Sequence, residues 1–71
     1  MTIVNRPVPG QMVLSVRGRE GGIVFDCMSR PAMFIGFAKK PGIANDYMLV
    51  LDNGQLRECI IIPAHDTVEI L

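Results

Sequence analysis

Glycine or proline recurs about every ten residues along this chain, and the stretches between alternate apolar with polar side chains or form short apolar blocks. Such punctuation leaves no uninterrupted window for a stable amphipathic helix. It fits an all-β domain of short strands joined by turns.

The strands can be placed from the alternation. "QMVLSVR" sets Met12, Leu14 and Val16 on one face and Val13, Ser15 and Arg17 on the other, launched by a Pro9-Gly10 turn. "GIVFDCM" follows a glycine-rich turn, with Ile23, Phe25 and Cys27 inward and Asp26 outward; Ser29-Arg30-Pro31 ends it. "AMFIGFA" alternates Met33, Ile35 and Phe37 against Phe34 and Gly36, and a glycine inside a strand marks a bulge or bend. After the loop "KKPGIAND", Asn53-Gly54 supplies both positive-φ positions of a type I′ turn, so Tyr47–Asp52 and Gln55–Ile62 form a tight hairpin. Pro63 stops that strand, and "TVEIL" reads as a closing one.

Five or six short antiparallel strands expose their edges unless the sheet curls shut, so the expected fold is a small SH3-like barrel, ahead of an OB-fold. The 71 residues suffice for one domain over 1–71, with residues 1–9 as an N-terminal arm. Apolar residues make up 49% of the chain, too many for disorder, yet no apolar run nears the roughly 20 residues of a membrane span. "MTIVNRPVPG" lacks the order of a signal peptide, so a cytoplasmic protein without membrane association is expected. Cys27 and Cys59 fall inside strand-like runs and read as reduced, buried thiols. With a single histidine and no C-x-x-C spacing, neither a metal nor a cofactor is expected.

Two segments resemble a known family. "VLSVRGREGG" is similar to the KOW motif, in which an alternating strand meets a glycine, a few polar residues and a second glycine. Its Gly18, Arg19, Glu20, Gly21 and Gly22, followed later by "YMLVLDNGQLREC", most resemble the ribosomal L14e-like group of SH3-like barrels. The resemblance implies a barrel that displays polar side chains at a rim turn and binds nucleic acid. It covers the two segments only, and ribosomal members are strongly basic where this chain has formal charge zero. "FIGFAKKPGIANDYMLVLD" with "IIIPAHDTVEIL" is also similar to the type II dihydrofolate reductases, again SH3-like barrels. Their active Val-Gln-Ile-Tyr stretch falls here on Cys59-Ile60-Ile61-Ile62, without the glutamine or the tyrosine, so the likeness implies the barrel and not the activity.

No catalytic constellation is expected. His65-Asp66 is the one imidazole–carboxylate neighbourhood, and it reads as a turn after Pro63; no nucleophile elbow accompanies Ser15 or Ser29. "GREGG" matches no phosphate-binding glycine loop, and no small-molecule substrate is implied. What remains are surfaces. Residues 1–40 carry six Lys/Arg against two acids, and residues 41–71 carry one against five. Either the halves interleave and cancel, or a basic face opposes an acidic one.

The second case makes Arg17, Arg19, Arg30, Lys39, Lys40 and Arg57, with Tyr47 for stacking, the expected contacts to RNA or single-stranded nucleic acid. The alternative is an oligomeric interaction barrel that binds protein as an adaptor, assembly or inhibitor protein. Val13, Val24, Met28, Phe34, Met48, Val50, Cys59 and Ile61 form an apolar surplus on the opposite parity, more than one small core absorbs. Val50 and Ile61 are the expected interface residues.

Overall fold

The computed structural model describes residues 2–71, and it contains seven strands and no helix among them. They are β1 (Thr2–Val4), β2 (Met12–Arg17), β3 (Ile23–Asp26), β4 (Ala32–Ala38), β5 (Asp46–Asp52), β6 (Gln55–Ile61) and β7 (Thr67–Ile70). All pairings are antiparallel, in the order β1-β7-β2-β4-β5-β6, with β3 also on β2. Among the described residues no ladder joins β6 to β1, so the hydrogen-bonded sheet is open.

Strand β2 organises the architecture by sharing one edge between two partners. Met12 and Val13 pair with Met33 and Ala32 of β4, whereas Ser15, Val16 and Arg17 pair with β3. The other edge of β2 is taken by β7. The sheet therefore divides into a first leaf, β1-β7-β2-β3, and a second leaf, β4-β5-β6, which meet at the start of β2. Both leaves contribute to one core. Val13, Val16, Phe25, Val68 and Ile70 come from the first, and Phe34, Met48, Val50, Cys59 and Ile61 from the second. Fully burying side chains such as Phe34 and Ile61 stabilises the fold by about 1.5–3 kcal/mol each.

Three expectations change. Thr2–Val4, expected within an N-terminal arm, form a strand that pairs with Val68–Ile70, and Val4 packs on the core; these residues cover an edge of β7 that would otherwise stay open. The inward parity is reversed through much of the chain. A register shift between Phe34 and Gly36 lets both Phe34 and Phe37 turn inward, their rings 4.9 Å apart, and Ile35 turn outward. A second shift, between Val13 and Ser15, brings Val13 and Val16 together into the core. Val50 and Ile61, expected at an interface, are 0% and 1% exposed because they form the inner face of the β5–β6 hairpin. Of the apolar surplus, Val24 and Met28 do stay exposed.

The turns follow their residues closely. Asn53 (φ 52°) and Gly54 (φ 81°) link Asp52 to its partner Gln55, the two-residue type I′ geometry expected. In the β2–β3 turn the left-handed residue is Gly21 (φ 80°), between a Gly18 N–H to Gly22 carbonyl bond of 2.8 Å and a Gly21 N–H to Gly18 carbonyl bond of 3.0 Å. The positive-φ requirement at this turn falls on Gly21, and not on Gly18 or Gly22.

Candidate functional site

Each expected cationic residue has a definite place. Arg17 ends β2 and reaches Glu69 with Nε, while its Nη1 donates to the Gly21 carbonyl at 3.0 Å. It braces the glycine turn from within. Arg30 lies 3.9 Å from Asp52, and Arg57 donates to the same carboxylate at 2.6 Å with its guanidinium over the Phe25 ring. Lys39 sits 2.9 Å from Asp46, which also receives Arg6 at 3.4 Å. Lys40 pairs with Glu58 at 2.8 Å and lies over the ring of half-buried Tyr47.

The acids of the second half thus neutralise the cations of the first, and the sequence's charge split interleaves in space. Arg19, exposed in the glycine turn, is the one Lys or Arg without an acidic partner among the described residues.

These pairs shift proton affinities as expected from their geometry. Hydrogen bonding to Lys39, and secondarily to Arg6, holds the Asp46 carboxyl below its usual range. The hydrogen bond to Glu58 raises Lys40. Glu69, one of the few buried charged residues, is held down first by Arg17 and then by the Ser15 hydroxyl, which donates at 3.0 Å. Ser15, Arg17 and Glu69 form a closed polar network on the outside of the first leaf.

Between β3 and β6 runs a groove of about 650 Å³ lined by Arg19, Val24, Phe25, Arg57, Cys59 and Asp66, among others. His65 lies in the Pro63–His65 turn, as expected. Its Nδ1 is 2.7 Å from Asp66 Oδ1 but without an aligned hydrogen bond. The other Asp66 oxygen accepts from the Ile62 N–H at 2.8 Å and holds the turn. Cys59 lines the same groove as His65 and Asp66. Burial, then Asp66, pushes the Cys59 thiol up, opposite to the shift of a nucleophilic cysteine. Cys27 is raised in the same way, and both thiols are free and buried. Among the described residues no group of three or more His, Cys, Asp or Glu side chains could hold a metal ion, and no helix is long and apolar enough to cross a membrane.

The second surface is the outer face of the β4-β5-β6 leaf. Partners across antiparallel ladders share a face, so Met33, Leu51 and Leu56 line up, as do Ala38, Tyr47 and Ile60. Leu49 and Ile35 fill the space between. Leu56 is 63% exposed and Ile60 49%, and Ile35 and Leu51 are also exposed. The Lys40–Glu58 pair is the ion pair on this face. Sequence alternation had found the apolar surplus but assigned it to the wrong parity; in β4 the bulge at Ile35 resets the phase, whereas β5 and β6 pair without a shift. Comparison with protein-family models, curated proteins and solved structures returns no match to this chain.

Proposed function

We propose that this chain is a non-enzymatic, SH3-like barrel module that works by protein association, using the outer face of β4-β5-β6 as its contact surface. One observation carries the reading: an apolar sheet face whose ion pair is internally neutralised, on a molecule whose other cations are almost all paired. Leu, Ile and Met side chains gathered on one face form the kind of patch that marks interaction sites. The SH3-like description draws support from β2, which shares its edge between two partners and joins two leaves around one core. The KOW-like reading draws support from the glycine turn braced by Arg17. The two buried free thiols suit a reducing compartment such as the cytoplasm.

Light scattering across micromolar concentrations tests the proposal. Association that is lost in Leu56→Asp, with the circular dichroism spectrum retained, is expected; a monomer throughout overturns it. A nucleic-acid reading keeps one supporting observation, the unpaired Arg19 guanidinium at the groove. Labelled RNA and single-stranded DNA at low and high salt test that reading, which fails if binding is absent at low salt or survives Arg19→Glu.

A further inference from the structure

The outer face of the second leaf is uneven, and its relief specifies a partner. Its cross-strand rows run Met33–Leu51–Leu56, Gly36–Leu49–Glu58 and Ala38–Tyr47–Ile60, each from β4 through β5 to β6. The β6 side stands high, with Leu56 and Ile60 exposed on either side of Glu58. The β4 side carries Ala38 and Gly36. A side chain at Gly36 would meet nothing within 4 Å of its Cβ, so open space lies above that residue. A ridge and a hollow thus flank β5 at equal distances.

We infer that this face packs against the same face of a second copy, about a two-fold axis that lies between the two sheets and runs along β5. The inference rests on the self-association reading above and gives it a geometry. Rotation about that axis sets Leu49 opposite Leu49 and exchanges β4 with β6. Leu56 of one copy then meets Met33 and Ile35 of the other, Ile60 meets Ala38, and Glu58 enters the space over Gly36. Ridge fills hollow twice, which makes the interface isologous and closes it at two subunits.

Charge and area favour a second copy over a foreign partner. The chain has formal charge zero, so two copies meet without net repulsion. The two Glu58 carboxylates fall on opposite sides of the axis, at least about 10 Å apart across two strand spacings. Each keeps its own Lys40 ammonium at 2.8 Å, so no unpaired charge is buried. Strands β4, β5 and β6 have seven residues each, which gives a face about 23 Å by 14 Å. Corrugated by side chains, two such faces bury roughly 1,000 Å² together, the lower limit of a specific interface, so the dimer is weak and concentration-dependent.

Filling the hollow tests the geometry. Gly36 is not among the positive-φ glycines, so the monomer accepts a side chain there. Gly36→Leu adds apolar surface, which would strengthen indiscriminate sticking, but it obstructs Glu58 of the partner copy. Light scattering is expected to show association weakened by about 10-fold or more in Gly36→Leu, with the unfolding midpoint kept, and a smaller loss in Gly36→Ala. Ala38→Leu should weaken association likewise, and Ile60→Ala in the same chain should recover part of that loss by making room. This second pair decides the matter if Gly36→Leu does not fold. Association unchanged or strengthened by Gly36→Leu overturns the face-to-face packing and leaves self-association standing. An Ala38→Leu loss that Ile60→Ala only deepens does the same. An unsubstituted protein that remains monomeric overturns both.

Discussion

The two leaves share a core but finish their outer faces differently. Outside the first leaf, Ser15 and Arg17 meet buried Glu69, and each polar group has a partner within the molecule. Outside the second leaf, Leu51, Leu56, Ile60 and Ile35 meet solvent. The polar network of the first face is satisfied from within, with Ile3 and Ile23 exposed beside it; the second face carries the larger set of exposed apolar side chains, which water does not satisfy. Substitutions on the first face should therefore change stability, and those on the second should change association.

The sharpest test uses neighbours in β6. Ile61→Asp places an unpaired carboxylate in the core and should cost more than about 4 kcal/mol, enough to unfold a domain of this size, in urea titrations followed by circular dichroism. Ile60→Asp, one residue away on the outer face, should leave the unfolding midpoint of the monomer almost unchanged while removing association. Similar losses of stability from both would break the comparison between faces.

Gly54→Ala forces a side chain into left-handed backbone geometry and should cost about 1–2 kcal/mol, loosening the hairpin that presents the outer face. A smaller effect is expected on the polar side. Ser15→Ala removes a buried donor to Glu69 and should cost about 0.5–1.5 kcal/mol without changing association.

The smallest effect is titrational. Glu69 and Asp46 have folded-state carboxyls held below their unfolded values. Their contribution is complete above the unfolded range and is lost as pH falls below about 4.5 towards the folded values. Thermal melts between pH 7 and pH 3 should show this acid loss, reduced in Glu69→Gln. An acid limb unchanged in that variant would detach Glu69 from the first leaf's stability.

What the sequence revealed was local. Asn53-Gly54 specified its turn, Gly36 marked a bulge, and Pro63 ended a strand, because each acts through its own backbone geometry. The inward face was harder to read. Alternation counts residues, and extra residues in β2 and β4 shift the count without announcing how. The ion pairs were invisible for a different reason. Arg17 meets Glu69 and Arg6 meets Asp46 across most of the chain, and only the folded topology brings those charges together. The candidate groove likewise draws residues from β3, β6 and two turns, so no contiguous motif records it.

The bulge in β4 also bears on how the chain tolerates insertion and deletion. Excising Ile35 would leave Phe34 facing Val50 and Phe37 facing Met48, with Gly36 still between them, so the ladder could close over the gap without exchanging inside for outside. A deletion elsewhere in that strand would swap its faces. Ile35 is thus a residue of adjustable length in an otherwise fixed frame, and lineages of this chain could gain or lose it while keeping the same interior.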